Sequence, residues 1–79
     1  MAEALSMPKV GHVMEEGTVV TWKKQVGDRV EKGDVVLDIE MDKAVFEVES
    51  FISGTLLEIL VAEGETVKVG TPLATIGGS

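Results

Sequence analysis

The chain repeats itself. A shift of 37 positions (54 − 17) carries Gly17-Thr18 onto Gly54-Thr55, and the same shift carries Gly27 onto Gly64, Val30 onto Val67, Gly33 onto Gly70 and Ile39 onto Ile76. Two copies within 79 residues leave room for one domain, near the lower size at which a hydrophobic core alone holds a fold together. Neither copy can bury an apolar face by itself, so the two must pack on each other with quasi-two-fold symmetry. In the connection between them, Glu40-Met41-Asp42-Lys43-Ala44, the same shift carries Glu40-Met41-Asp42 onto Gly77-Gly78-Ser79, just after Ile76. Lys43 is thereby singled out, and we expect it to project from one end of the molecule with both termini at the other.

Within each copy the pattern is that of strands. Val19, Val20 and Trp22 fall in one run after Gly17, and Leu56, Leu57, Ile59 and Leu60 repeat it. Val35, Leu37 and Ile39 alternate along a third strand, echoed by Pro72, Ala74 and Ile76. Ala44, Phe46 and Val48 alternate with Val45, Glu47 and Glu49, which predicts an amphipathic strand. Val26-Gly27-Asp28 matches Glu63-Gly64-Glu65, and Lys32-Gly33-Asp34 matches Val69-Gly70-Thr71. Glycine at these places suits tight turns that need positive φ. No window of helical length keeps an apolar stripe with caps at both ends. The residues therefore predict an all-β fold, a small antiparallel sandwich or barrel with about four strands from each half. The third strand ends near Glu40 and the next begins near Ala44, leaving Met41-Asp42-Lys43 for a hairpin turn.

Composition narrows the function. There is no cysteine, which excludes disulfides, thiolate metal sites and a cysteine nucleophile. The formal net charge is −7, which argues against nucleic acid, where a basic face supplies most of the affinity, and against an anionic membrane surface. No apolar run approaches the roughly 20 residues needed to span a bilayer. His12 is the only histidine, and no nucleophile–base pair or metal cluster is evident around it. Glu40, Asp42, Glu47 and Glu49 read as a solvated strand face. Trp22 reads as a core or edge anchor, and no phosphate-binding glycine motif is present. On residue type alone, Lys43 would be an ordinary solvated lysine. Its place between two repeats reverses that reading.

Met7-Pro8-Lys9, Met14-Glu15-Glu16-Gly17-Thr18, Trp22, Gly27-Asp28, Gly33 and Asp42-Lys43-Ala44 together resemble a lipoyl domain of the biotinyl/lipoyl carrier family. Such domains are the swinging-arm modules of the acyltransferase (E2) component of 2-oxo acid dehydrogenase complexes. The resemblance runs from Leu5 to Ile76, so residues 1–76 are expected to form the carrier domain, with 77–79 the start of a linker or a tag remnant. It implies a flattened β-barrel or sandwich hybrid of two four-stranded antiparallel sheets. It implies that Lys43, at a hairpin turn, takes lipoic acid in amide linkage. Glu40, Gly27 and Gly54 match positions that help the modifying enzyme find its lysine, with Asp42 and Ala44 as flanks. The loop Gly11, His12, Val13, Met14, Glu15 and Glu16 matches the surface that contributes to recognition by the partner decarboxylase. Biotin carriers of this fold usually place methionine on both sides of the lysine, which this sequence does not.

The resemblance also implies partners: a thiamine-diphosphate decarboxylase (E1), the acyltransferase core, a flavin-dependent dihydrolipoamide dehydrogenase (E3), and a lipoate–protein ligase or octanoyltransferase. The domain itself would catalyse none of their reactions and would be a monomer when isolated. It would reside in the bacterial cytoplasm, or in the mitochondrial matrix if eukaryotic. The run from Met14 to Thr18 with Trp22 resembles the pyruvate and acetoin types more than the 2-oxoglutarate type. Alternatives are a biotin carrier of a carboxylase and an unmodified β-barrel interaction module. A protonated lysine is a poor nucleophile, so the amide requires an external enzyme that supplies an activated acyl group and removes a proton.

Overall fold

A computed structural model describes residues 2–8 and 15–77. Eight strands follow one another: β1 (Glu3–Ser6), β2 (Glu16–Trp22), β3 (Arg29–Val30), β4 (Val35–Met41), β5 (Ala44–Glu49), β6 (Gly54–Ile59), β7 (Thr66–Lys68) and β8 (Pro72–Gly77). They form two four-stranded sheets of order β1-β8-β6-β3 and β5-β4-β2-β7, and every pairing is antiparallel. Each sheet takes two strands from each repeat, because β3 crosses to pair with β6 and β7 crosses to pair with β2. The sheets do not close into a barrel. Each keeps two edge strands, so the expected hybrid is a flattened sandwich.

The repeat is visible in the core. Val19 and Leu56, Val36 and Leu73, Leu37 and Ala74, and Ile39 and Ile76 are repeat-related pairs, and all are fully buried. β5 and β1 are equivalent as well: Val48 faces Leu37 as Leu5 faces Ala74, and both are buried. That equivalence maps the β4–β5 turn onto the gap between the end of β8 and the start of β1, where Glu3 pairs with Ile76. Fourteen apolar side chains make up this single aliphatic core. Trp22 packs against it from the side and donates its indole Nε1–H to the Val61 carbonyl at 3.0 Å.

The matched turns take the expected form. Gly27, Gly33, Gly64 and Gly70 have φ between 90° and 97°. An added Cβ at any of them would meet nothing within 4 Å, so backbone conformation alone accounts for these glycines. Three of the turns are further tied by a carboxylate that accepts the N–H three residues back: Asp28 from Gln25, Asp34 from Glu31 and Glu65 from Ala62.

Three expectations from the pattern need correction. Leu57 and Val20 are exposed, although both lie in apolar runs. The register of β2 against β4 slips between Val19 and Thr21, and that of β6 against β8 between Leu56 and Glu58. A β-bulge inserts an unpaired residue and turns its side chain outward, and here the bulged residues are repeat-equivalent. A slip between Val35 and Leu37 likewise lets Val36 join Leu37 in the core. In β8, Leu73 is buried while Pro72 is exposed. β8 itself runs through Gly77, which pairs with Thr55. Residues 78 and 79 lie outside the described part.

Candidate functional site

Met41 pairs directly with Ala44, so the β4–β5 connection contains two residues, Asp42 and Lys43, rather than the three expected. Asp42 has φ 49° and Lys43 φ 67°. Two consecutive central residues at positive φ make a type I′ turn, whose twist matches that of the flanking strands. Such a turn ordinarily carries Asn-Gly. Here neither residue is glycine, and a side chain in the left-handed region costs roughly 1–2 kcal/mol. The strand reaches Met41 because that side chain turns inward, 2% exposed, and is held beneath the turn.

Asp42, Lys43 and Ala44 are all exposed. Among the described residues no carboxylate lies within ion-pair distance of Lys43. A shallow hollow of about 290 Å³ opens beside the turn, lined by Glu16, Gly17, Thr18, Glu40, Met41, Asp42, Lys43 and Thr66. On its floor the hydroxyls of Thr18 and Thr66 are hydrogen-bonded at 2.7 Å, joining β2 to the short edge strand β7. The lysine thus stands exposed on a two-residue turn, beside a hollow that it shares with three acidic residues, Glu16, Glu40 and Asp42.

The structure gathers some of the sequence-derived site residues and separates others. Glu40 lies across from Val45 and Thr18, two pairings below the turn, and shares the hollow with Asp42 and Lys43. Gly27 is not there. It sits in the Gln25–Asp28 turn and donates its N–H to the Leu56 carbonyl at 2.8 Å. Gly54 is also elsewhere, at the start of β6 against the backbone of Gly77. Of the expected partner loop, Gly11, His12, Val13 and Met14 lie outside the described residues. Glu15 and Glu16 are exposed; Glu15 accepts the Val69 N–H at 2.8 Å, and Glu16 pairs with Lys68. Among the described residues there is no cluster of potential metal ligands and no helix long and apolar enough to cross a membrane. The sequence reading missed Gly17, Thr18, Met41 and Thr66 as members of the site. Gly17 carried a signal, because it opens the same strand in the first repeat as Gly54 does in the second.

A biotin/lipoyl family model, described as "Biotin-requiring enzyme", matches residues 3–76. The chain belongs to the biotinyl/lipoyl domain family. Within this family it is 46% identical over 77 residues to the dihydrolipoyllysine-residue acetyltransferase component of the acetoin cleaving system of Bacillus subtilis, covering 98% of this chain and 19% of that protein. It is 47% identical to the pyruvate dehydrogenase E1 component subunit beta of Rhizobium meliloti, covering 96% of this chain and 17% of that one. The chain therefore spans less than a fifth of the length of these relatives. Among solved structures, the lipoyl domain of the 2-oxoglutarate dehydrogenase complex from Azotobacter vinelandii superposes with a TM-score of 0.74 at 34% identity, over 95% of this chain and 98% of that one. The urea carboxylase of Kluyveromyces lactis superposes at 0.83 with 32% identity, over 98% of this chain but 6% of the carboxylase. The lipoyl resemblance read from Asp42-Lys43-Ala44 agrees with the acyltransferase relative and with the superposed lipoyl domain.

Proposed function

We propose that this domain is a lipoyl carrier, with lipoic acid joined to the Nζ of Lys43 by an amide. The observation that carries the reading is the Asp42-Lys43 turn itself: an exposed lysine, without an ion pair among the described residues, held in a left-handed backbone conformation at the tip of the β4–β5 hairpin. The surroundings suit the group. An exposed amine admits the modifying enzyme, and the hollow beside the turn leaves room at the root of a flexible arm. Glu40, Asp42 and Ala44 flank the lysine as recognition residues, with Gly27 and Gly54 acting through the frame rather than at the turn. The exposed Glu15 and Glu16 belong to the surface that meets the decarboxylase.

Once attached to Lys43, lipoic acid would supply a dithiolane able to accept an acyl group from a decarboxylase, becoming reduced, and to pass it to coenzyme A, with dihydrolipoamide dehydrogenase as the partner that would reoxidise it. The protein's own contribution is placement. Tethering replaces free diffusion by a high effective concentration at each site the arm can reach, and a rigid turn gives the arm a fixed root. Proposed partners are therefore the decarboxylase, an acyltransferase core, the dehydrogenase and the ligase or octanoyltransferase that modifies Lys43. The domain is non-catalytic and monomeric, in a bacterial cytoplasm or mitochondrial matrix. The parent chain is an acyltransferase of the pyruvate or acetoin type.

The superposition on urea carboxylase supports a second reading, a biotin carrier. Intact mass and peptide mapping after incubation with ATP, lipoic acid and lipoate–protein ligase separate the two, with Lys43→Ala as control. One lipoyl increment on the Lys43 peptide, absent from the control, is expected. A folded domain that takes no lipoyl group but is biotinylated by biotin–protein ligase would replace the lipoyl reading with the biotin one.

A further inference from the structure

The repeat gives Gly17 and Gly54 the same place in the fold, yet their neighbours differ in kind. A Cβ on Gly54 would stand 2.9 Å from the Gly77 carbonyl oxygen, a backbone atom. A Cβ on Gly17 would stand 2.9 Å from Cε and 3.1 Å from Cγ of Met41, and 3.0 Å from Sδ of Met7. Both methionines are almost wholly buried, Met7 at 1% and Met41 at 2% exposed, so they are sealed over the glycine. Met7 is held by its own backbone: its N–H donates to the Thr71 carbonyl at 2.9 Å, and its carbonyl accepts the Gly70 N–H at 2.9 Å. Met41 is therefore confined between Gly17 and an anchored neighbour.

Met41 is also the residue from which the turn departs. A two-residue turn with both φ angles positive has little slack of its own, so its direction follows the strand ends that carry it. We propose that Gly17 is a positioning residue for the modification of Lys43: its missing Cβ seats Met41, and that seat sets the direction in which the Asp42-Lys43 turn offers the ε-amine to the modifying enzyme. The proposal rests on the carrier reading above. An added methyl meets the ends of flexible thioether side chains, which shift more readily than backbone, so Gly17→Ala moves the turn without unfolding the domain.

The test compares Gly17→Ala, the double variant Gly17→Ala/Met41→Val, and Ile76→Val. The double variant removes the Met41 Cε, the nearest atom the new methyl would strike, and Ile76→Val loses core volume in β8 without touching the turn. Two readouts are taken on each folded protein: backbone amide shifts of Asp42 and Lys43 by nitrogen–proton correlation NMR, and kcat/KM for modification by lipoate–protein ligase. Expected for Gly17→Ala are displaced Asp42 and Lys43 amides and a kcat/KM lowered by roughly 10–100-fold, the scale on which small misplacements of reacting groups act. Both effects should be largely reversed in the double variant and absent in Ile76→Val. Unmoved amides in Gly17→Ala overturn the proposal whatever the rate. So does an unchanged rate with moved amides, or an Ile76→Val domain slowed as much as Gly17→Ala, which would reduce the effect to lost stability. If the wild-type domain accepts no lipoyl group, the carrier reading falls and takes the positioning role with it. That result is distinct from a modified wild type beside an unaffected Gly17→Ala.

Discussion

Lys43 at φ 67° occupies backbone territory that glycine enters freely and a side chain does not, and the cost of keeping it there is measurable. The informative pair is Lys43→Gly against Lys43→Ala, since both remove the same charge and the same long side chain. Alanine keeps the left-handed cost of roughly 1–2 kcal/mol. Glycine escapes it but loses about 0.4–1 kcal/mol more chain entropy on folding. The balance favours the glycine variant by about 0.5–1 kcal/mol. For a domain of this size each kcal/mol moves Tm by about 4–8 °C, so Lys43→Gly should melt about 2–8 °C above Lys43→Ala. Differential scanning calorimetry on the unmodified proteins reads this directly. A glycine variant that melts at or below the alanine variant would refute the argument, because the turn would then hold no strain at this position. The expected result has a functional meaning: the hairpin would be more stable with the residue that cannot be modified, so folding alone gives no reason for lysine there.

The repeat-related Gly54 answers differently from Gly17. Gly54→Ala drives a methyl against the Gly77 backbone and should cost about 1–3 kcal/mol, lowering Tm by about 4–24 °C; a melt matching wild type would mean that β6 and β8 yield more easily than a 2.9 Å approach suggests. Exchanging Asp42 and Lys43 keeps two side chains in the left-handed turn, so circular dichroism and Tm should hold while lipoylation falls sharply; normal modification of the exchanged protein would sink the idea that the enzyme reads position. Trp22→Phe removes the donor to the Val61 carbonyl, and the urea midpoint should fall by the equivalent of about 1–3 kcal/mol with an unchanged m-value; an unmoved midpoint would show that water satisfies that carbonyl.

What the sequence revealed depended on whether the determinant was local. Gly27, Gly33, Gly64 and Gly70 serve a local need, positive φ in tight turns, and their spacing exposed the repeat and the strand boundaries. The exposed lysine between the halves followed from the same repeat. The bulges at Val20 and Leu57 were hidden, because a bulge is decided by how one strand registers against another distant in sequence, and an apolar run such as Leu56-Leu57 looks the same with or without it. The turn type was hidden too: Asn-Gly would have announced a two-residue hairpin, whereas Asp42-Lys43 did not. The seat under the turn was invisible for a third reason. Gly17, Met41 and Met7 come together only through packing, and nothing in their spacing links them. Resemblance supplied Gly27 and Gly54 for the site, and the structure places both away from the hollow beside Lys43.

β1 has one partner, β8, which sits at the far end of the chain, and this sets a timetable for synthesis. Residues 3–6 leave the ribosome long before residues 72–77, and at about 5–20 residues per second the wait is roughly 3–13 s. Pairings between distant segments also form slowly, whereas a hairpin such as β4–β5 closes in about 1–10 μs. The turn bearing Lys43 therefore exists, as an isolated hairpin, well before the sandwich does. Its support arrives late, since Met7 is clamped only once Thr71 and Gly70 have emerged. An enzyme that requires the seated turn acts on finished domains and passes over nascent ones, so the packing beneath a single lysine doubles as a check that the domain has been completed.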